Sequence, residues 1–266
     1  MNTTVIMVSF KSESLIFKNI ENFPQNINII IIDNSENLEL KKKIEATYNN
    51  VIVILNKNNG FGQAANLGAK LAKTKYLLFC SPDNFVEREA VKKLDSMSNE
   101  IKDDFGLLVL SEESENIEKI SKITKVSGII CFFTIKEKFL KIKGFDENFF
   151  LYYEDNDLVQ RFLLNDQNIF KVPIKYKNLM GSHDKEFNYP IELNRNWHLM
   201  WSKFYYEKKH HGYFYALIIT LPIFVRAIVK IIIFINNPNK RSSYLARASG
   251  LYNAYRLKSS WYRPYL

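Results

Sequence analysis

Short apolar runs alternate with amphipathic stretches over the first 80 positions of the chain. Val5–Val8 predicts a first strand, and the nearly unbroken β-branched run Ile27–Ile32 predicts a second strand that is covered on both faces. Further apolar runs predict strands at Val51–Leu55 and Tyr76–Cys80. Helical stretches separate these runs, so the pattern predicts βαβ units and an α/β fold with a mostly parallel sheet flanked by helices.

The remaining elements follow from the same patterns. Helices are predicted at Ser14–Phe23, Leu38–Tyr48, Gln63–Lys73 and from about Gly144 to Asn165. Later strands are predicted at Gly106–Leu110, Val126–Thr134 and Ile169–Val172, with a polar surface excursion at residues 111–122.

Polar residues follow the carboxyl ends of the first four predicted strands. They are Ser9, Asp33, the loop Asn59–Gly62 and Asp83. Parallel α/β sheets bind their ligands at that edge. We therefore expect these residues to lie together along one edge of the sheet.

The apolar segment 213–235 is 23 residues long, nominally enough to cross a bilayer. Arg226 and Lys230 interrupt it and share one face of a helix, with Ile228 and Ile232 away from them. A central arginine costs a spanning helix about 2.5–3.5 kcal/mol, whereas basic amphipathic helices lie in the membrane interface. We expect the segment to lie on the membrane, and spanning remains the alternative.

Charge separates this tail from the rest of the chain. The net charge is +9, of which residues 201–266 carry +10 and the first 200 residues −1. Such a tail attracts anionic lipid by about 1 kcal/mol per basic residue near the surface. It contains no recognisable nucleic-acid recognition module, so nucleic acid is not an expected partner. We expect a first domain at 1–205 and a helical region at 206–266.

Composition excludes several classes of protein. A chain of 266 residues that is 47% hydrophobic and 24% charged can bury a core, which excludes a disordered segment. Cys80 and Cys131 form no CxxC pair, which excludes a zinc ribbon and a disulfide scaffold. The N-terminus lacks a secretory pattern, so export is not predicted.

Two groups of carboxylates could carry chemistry. Asp83 follows Pro82 at a strand end, and one carboxylate with diphosphate oxygens can hold Mg²⁺ or Mn²⁺, although an aspartate in a proline turn is the simpler explanation. Glu154, Asp155 and Asp157 open a helix, where the macrodipole favours acidic residues. The aromatic residues before them predict an apolar setting, which raises carboxylate pKa values and suits a general base.

Three further positions are weaker candidates. The loop Asn59, Gly60, Phe61, Gly62 precedes a helix and lets the backbone approach a nucleotide, but it is neither GxGxxG nor a P-loop. Asp33 could accept from a base N–H or cap the next helix. His183 is a candidate metal ligand, and a surface histidine explains it as well.

The order of these motifs resembles glycosyltransferase family 2, which has the GT-A fold, and especially its bacterial rhamnosyltransferase-like members. The matching stretches are IIIIDNS around residues 30–35, NNGFGQAANLGAKLAKTKYLLFCSPD at 58–83, SGIICFFTIKEKFLKIKGFDENFFLYYEDNDLVQRF at 127–162 and RNWHLMWSKFYYEKK at 195–209. They extend over nearly all of residues 1–210. Two departures stand out: Ser81 occupies the first position of the DxD-like motif, and Lys143 replaces one glycine of a double glycine.

The resemblance implies a role for each motif residue. The nucleotide sugar would be bound by Ser9, Asp33, Asn59, Gly60, Phe61, Gly62, Asn66, Asp83, Ser127 and Gly128. Asp155 would be the base that deprotonates the acceptor, with Glu154 orienting it. Tyr153 and Asp157 would contact the acceptor.

The resemblance also implies a cofactor and a function. Asp83 and His183 would hold Mg²⁺ or Mn²⁺. The enzyme would be an inverting, metal-dependent glycosyltransferase that moves rhamnose or a similar sugar from dTDP-rhamnose or a UDP-sugar to a lipid-linked or polysaccharide acceptor in cell-surface glycan synthesis. The basic tail would hold it on the cytoplasmic face of the inner membrane, as a peripheral or monotopic protein. The alternative is an inactive, membrane-associated scaffold with the same fold, against which the two carboxylate groups argue.

Overall fold

The structure of the protein is a computed structural model. It describes residues 2–124, 128–129, 131–179 and 188–263. Ser127 and His183, two of the predicted site residues, lie outside the described residues.

Contacts divide the chain into two compact units. The first unit comprises Met1–Asp146 and Asp155–Asp184, and the second comprises Glu147–Glu154 and Lys185–Leu266. The domain boundary expected between residues 205 and 206 falls inside a single helix, Asn188–His211.

The elements of the chain have the following bounds. The strands are β1 (Thr3–Ser9), β2 (Asn28–Asp33), β3 (Val51–Leu55), β4 (Tyr76–Cys80), β5 (Asn84–Val86), β6 (Leu107–Glu112), β7 (Ser121–Lys122), β8 (Phe132–Ile135) and β9 (Ile169–Asn178). The helices are α1 (Glu13–Asn22), α2 (Leu38–Thr47), α3 (Phe61–Leu71), α4 (Ala90–Glu100), α5 (Lys136–Lys141), α6 (Glu154–Leu164), α7 (Asn188–His211), α8 (Tyr213–Ile233) and α9 (Pro238–Tyr255).

The first unit contains one sheet with helices on both faces. All seven residues of β1 are buried, and they alternate between two cores. Val5 and Met7 belong to one core, while Ile6 and Val8 belong to the other. Successive side chains of a strand point to opposite faces, so a strand that is apolar at every position is one covered on both sides.

The strands are arranged in the order β3-β2-β1-β4-β8-β6-β9-β5, with β7 beside β9. Strands β1 to β4 pair in parallel, which confirms the predicted α/β sheet. The later half mixes directions, because β8 runs antiparallel to both β4 and β6. The register pairs Ser9 with Asp33 and Met7 with Cys80, which brings Ser9, Asp33 and the turn after β4 to one edge.

Several elements differ from the sequence-based expectation. Strand β9 continues to Asn178, six residues beyond the predicted end, because its second half pairs with β5 and β6. In place of the predicted strand 126–134, the structure has the shorter strand β8, which begins at Phe132 and ends at Ile135. Residues 126, 127 and 130 of the predicted range lie outside the described part of the chain. Helix α6 begins at Glu154 rather than near Gly144, because four residues between 143 and 153 have positive φ angles that a right-handed helix cannot contain.

In the second unit, α7, α8 and α9 pack around an aromatic core. Trp197, Trp201 and Phe204 of α7 are buried in this core. Gly250 lets α9 approach α7 closely, since a Cβ at that position would lie 2.3 Å from the carbonyl oxygen of Trp197. Among the described residues, α8 is the one helix whose length and mean hydropathy of 2.4 would allow it to cross a membrane. Its buried residues are Ala216, Thr220 and Ala227.

Candidate active site

Ser9 and Asp33 meet at the carboxyl ends of β1 and β2. The Ser9 hydroxyl donates to Oδ1 of Asp33 at 2.9 Å. Asp33 is 1% exposed and also accepts from the backbone N–H groups of Ser35 at 3.3 Å and Asn37 at 2.8 Å. Asn37 caps α2, so these contacts give Asp33 a role in the turn that leads into that helix. Its role toward a pyrimidine stays a prediction.

The glycine loop turns sharply into α3. Gly60 has φ +110°, a conformation that favours glycine, and its N–H donates to the Asn58 side chain at 3.3 Å. Asn59, just before it, is exposed. The loop therefore offers a polar side chain and the N–H groups at the start of a helix, at the same sheet edge as Asp33. This combination suits an anionic ligand.

Three residues of the glycine motif pack against the segment around Phe145. The ring of Phe61 meets the ring of Phe145 edge-on at 5.6 Å, and a Cβ at Gly62 would lie 2.8 Å from the Phe145 Cβ. Asn66 is buried, accepts from the Phe145 N–H at 2.8 Å and donates to the Phe145 carbonyl at 2.9 Å. These contacts give Gly62 and Asn66 a structural role, and the nucleotide contacts that the family motif implies for them stay a prediction.

Asp83 lies in a turn that a buried amide holds in place. Asn19 of α1 donates to the carbonyl oxygens of Ser81 at 3.2 Å, Pro82 at 2.9 Å and Asn84 at 2.9 Å. Asp83 itself is half-buried, and its carbonyl accepts from the N–H of Leu179 at 3.0 Å. No local pattern signals this role of Asn19, because it lies more than 60 positions away from the turn, in a helix with an ordinary amphipathic pattern.

Replacing Asn19 with Ala should destabilise the protein and loosen this turn. The variant leaves the carbonyl groups of Pro82 and Asn84 without this donor, while that of Ser81 still accepts from the Asn84 N–H. Unsatisfied buried carbonyls of this kind cost about 1–3 kcal/mol of unfolding free energy. Urea denaturation measures this loss, with Asn26→Ala, an exposed asparagine, as the matched control. Equal midpoints for the two variants would show that the amide does not hold the turn.

Two buried cysteines lie beside the Asp83 turn. Burial raises the pKa of the Cys80 thiol to about 12, and the nearby Asp83 carboxylate adds to the rise. Burial likewise raises the pKa of Cys131 well above its usual value, with Cys80 and Asp83 contributing. Both thiols therefore stay protonated, which excludes thiolate chemistry at neutral pH.

Asp155 lies at the same edge of the sheet as Asp83. Its Oδ2 accepts from the Ile129 N–H at 2.9 Å, and Ile129 precedes β8, which runs antiparallel to β4. The start of β8 therefore lies beside the end of β4, where Asp83 follows. Burial raises the pKa of Asp155, and backbone N–H donors including that of Ile129 oppose the rise. A half-buried carboxylate with a raised pKa can take up a proton, as a general base must.

Asp157 is fully buried in an ion pair. Its Oδ2 accepts from Nε of Arg161 at 2.7 Å, and the Arg161 Nη1 donates to the Ile142 carbonyl at 2.7 Å. The pair links α6 to the segment before Gly144. No part of the Asp157 residue is exposed, so in this structure it positions the backbone and does not present a carboxylate to an acceptor. Arg161 was not identified from the sequence as the partner of Asp157, although the i,i+4 spacing of the two residues in a helix was an available signal.

Tyr153 and Glu154 belong to the second unit. Tyr152 and Tyr153 have φ angles of +68° and +66°, a pair of left-handed residues immediately before α6. Tyr153 packs on Tyr206 with ring centroids 5.4 Å apart, and Nζ of Lys203 lies 3.5 Å from its hydroxyl. Glu154 is buried. Strained backbone of this kind persists only where surrounding contacts impose it, and it is concentrated at functional sites.

The described residues contain no group of three His, Cys, Asp or Glu side chains that could together hold a metal ion. Asp83 fits one coordination position of a divalent cation, because its carboxylate is a hard oxygen ligand and it is accessible at the end of β4. A cation that shares one carboxylate with substrate oxygens and water does not need a cluster.

A family profile described as Glycosyl transferase family 2 matches residues 4–171, which include β1 to β8 and the carboxylates at 83 and 155. The chain belongs to glycosyl transferase family 2. It is a glycosyltransferase, which confirms the enzyme class predicted from its motifs. The rhamnosyltransferase-like subtype stays a prediction.

Solved structures of similar fold include other glycosyltransferases. S. aureus TarS 1-349 aligns with a TM-score of 0.55 at 13% identity, covering 97% of this chain and 92% of that one. GalNAc-T7 with UDP, GalNAc and Mn²⁺ aligns with a TM-score of 0.58 at 14% identity, covering 82% and 56%. The chain spans 44% of a longer S. aureus TarS structure, at 15% identity and a TM-score of 0.54 over 79% of this chain. Identities this low show the fold, and they confirm the GT-A prediction for this family 2 member. No curated protein sequence matches the chain.

Proposed function

We propose that this family 2 enzyme transfers a sugar with inversion, using Asp155 as the general base. The observation that carries the proposal is the half-buried Asp155 carboxylate, held by the Ile129 N–H at the sheet edge where Asp83 follows β4. Burial raises the pKa of Asp155, so its carboxylate accepts a proton more readily than an exposed aspartate does.

The chemistry is one in-line displacement. The acceptor hydroxyl oxygen attacks the anomeric carbon from the face opposite the nucleotide while its proton passes to Asp155. The new C–O bond forms as the bond to the diphosphate oxygen breaks, and the electron pair leaves with the nucleoside diphosphate. Because the attack comes from the opposite face, the anomeric configuration inverts.

Asp83 would hold Mg²⁺ or Mn²⁺, with His183 as the second predicted ligand. A bound divalent cation supplies positive charge next to the negative charge that grows on the diphosphate. The support is the family membership together with a similar fold solved with Mn²⁺. Asn19 positions the Asp83 backbone through the three carbonyls of the turn.

The donor is a pyrimidine nucleoside diphosphate sugar. Structures of similar fold have been solved with UDP and with UDP-GlcNAc, and these support a UDP-sugar. The alternative donor, dTDP-rhamnose, rests on the resemblance of the motifs to rhamnosyltransferase-like enzymes. Both share a pyrimidine and a diphosphate, so the site around Ser9, Asp33 and Asn59 would serve either.

The acceptor is a lipid-linked or polysaccharide glycan at the cytoplasmic face of the cell membrane. The support is the basic C-terminal region, in which the exposed apolar residues of α8 lie beside Arg226 and Lys230. Such a helix associates with anionic lipid from the interface.

Nucleotide binding gives the direct test of donor and metal. UDP with Mn²⁺ at 100 times its Kd should stabilise the enzyme by about 2.7 kcal/mol, a rise in Tm of about 5–10 °C. Asp83→Ala should remove the Mn²⁺-dependent part of this rise, and Asp104→Ala, an exposed aspartate, should retain it. A dTDP arm run in parallel identifies the base, and transfer from UDP-GlcNAc or dTDP-rhamnose identifies the sugar. A Mn²⁺ effect that is unchanged in Asp83→Ala would reject Asp83 as the ligand.

A further inference from the structure

Helix α8 has two sides of different character. Ala216, Thr220 and Ala227 are buried on the side that packs in the second unit. The other side exposes large apolar side chains, including Phe214 at 78%, Ile218 at 70% and Ile232 at 67%. We define the apolar face of α8 as Phe214, Ile218, Leu221, Val225, Val229 and Ile232. An exposed apolar surface of this extent marks an interaction site.

Positive charge borders this apolar face. Arg226 and Lys230, one turn apart, lie where the apolar face meets the packed side of the helix. The chain contains no acidic residue after Glu207. A second copy of the chain would bring the same basic residues together, so like-charge repulsion opposes self-association. An anionic membrane surface complements both the apolar and the basic parts of this region.

A cavity of about 200 Å³ opens between α8 and α9 at this border. Its lining contains two arginines, Arg226 and Arg247, with Tyr244 and the aliphatic residues Ile223 and Ala227. We name it the α8–α9 pocket. Two guanidinium groups in one small pocket repel each other unless an anion lies between them.

Arg247 is fixed in place by its neighbours. Its Nε donates to Oδ1 of Asn196 at 2.6 Å, and its guanidinium lies 5.3 Å from the centre of the Tyr244 ring. Tyr244 in turn stacks on Phe234, with ring centroids 5.7 Å apart. The terminal N–H groups of Arg247, and all those of Arg226, have no protein partner among the described residues. The pocket therefore contains the pre-oriented guanidinium of Arg247 and the exposed guanidinium of Arg226, and both have N–H donors that can bind a ligand.

We propose that the α8–α9 pocket binds the phosphate group of an anionic phospholipid when the apolar face of α8 lies in the membrane interface. Guanidinium groups present paired N–H donors that match two phosphate oxygens, a geometry that lysine lacks. The proposal rests on the membrane association in the proposed function and adds to it a defined headgroup site. Phospholipid at the pocket would fix the rotation of α8 about its axis at the membrane surface.

Charge-preserving variants test the site. Flotation would use vesicles of phosphatidylcholine with phosphatidylglycerol and the full chain, comparing wild type, Arg226→Lys and the matched control Arg241→Lys on α9. Arg226 has no partner to lose within the described part of the chain, and Arg241 is exposed outside the pocket. Lysine keeps the positive charge but lacks the paired N–H donors that bind two phosphate oxygens. We therefore expect Arg226→Lys to weaken vesicle binding about tenfold. Arg241→Lys should change vesicle binding less than about twofold. Arg247→Gln can keep the contact with Asn196, and it should weaken vesicle binding at least as much as Arg226→Lys does.

Each other outcome counts against the pocket. Equal binding by Arg226→Lys and Arg241→Lys would show diffuse attraction and overturn the site while leaving membrane association intact. Two results would overturn both the headgroup site and membrane association: wild-type protein that does not float with the vesicles, or wild-type protein that sediments as a dimer formed through the apolar face. Thermal stabilisation by inorganic phosphate without vesicle binding would assign the pocket to a soluble ligand. None of these measurements requires nucleotide. A failure of the proposed transferase site can therefore be distinguished from a failure of the pocket, because it would appear as a lack of stabilisation by UDP.

Discussion

Replacement of Asp155 by asparagine should lower kcat about 10²–10⁴-fold, the contribution of a general base, while nucleotide binding is retained. Asparagine has the same shape and can still accept from the Ile129 N–H, but it cannot take the acceptor proton. Initial-rate assays with a donor panel measure the loss, and UDP-induced stabilisation confirms that the donor site is intact. A variant as active as wild type would reject Asp155 as the base.

The same substitution should also remove a pH dependence of stability. Burial raises the folded-state pKa of Asp155, so its contribution to stability is full below the pKa of the unfolded chain and is lost as pH rises through the folded-state pKa. At neutral pH the carboxylate form therefore opposes folding, and Asp155→Asn should unfold at a temperature no lower than wild type. The acid limb of the wild-type kcat profile should lie above the ordinary aspartate pKa of about 3.9.

Asp157→Asn is the contrasting variant two residues away. It leaves the Arg161 guanidinium without its buried partner, which costs about 3 kcal/mol of unfolding free energy. Thermal unfolding should therefore distinguish the two positions. Asp157→Asn should have a lower Tm than wild type, whereas Asp155→Asn should not. A lower Tm for both would mean that Asp155 also serves mainly to hold the fold.

Gly144→Ala should be among the most destabilising single-methyl additions in the first unit. Gly144 has φ +60°, and a Cβ there would lie 2.2 Å from Oδ1 of Asn66, the atom that accepts from Phe145. Backbone strain of about 1–2 kcal/mol adds to about 1–3 kcal/mol for the disrupted hydrogen bonds. We expect a loss of about 2–5 kcal/mol, seen as a Tm lower by about 5–20 °C.

Gly128→Ala is the matched control for that prediction. Gly128 has a similar φ of +71°, but a Cβ there meets no atom of the described residues within 4 Å. It should therefore cost the backbone strain alone, about 1–2 kcal/mol. Equal losses for Gly144→Ala and Gly128→Ala would show that the contact between Asn66 and Phe145 contributes nothing to stability.

The local pattern was sufficient for the first half of the sheet. Strands β3 and β4 have the predicted bounds, and β1 and β2 lie within a few residues of them, because strands covered on both faces are apolar at nearly every position. The edge carrying Ser9, Asp33 and Asp83 followed from the same reasoning, since parallel strands share their carboxyl ends. Local patterns did not predict β5 or the length of β9, because those strands are defined by pairing across the chain.

The sequence by itself determined the parallel half of the fold, the ligand edge, the basic apolar tail and, through its motifs, the enzyme class. Tertiary structure decided which motif residues are structural: Asn66 bonds to Phe145, 79 positions away, and Asp157 is buried against Arg161. It also decided that Asn19 holds the Asp83 turn and that Arg226 and Arg247 line one pocket. The physical reason is range: hydrophobic periodicity is a property of neighbouring residues, whereas a buried amide or a paired guanidinium gains its role from a partner that only the folded chain brings within 3 Å.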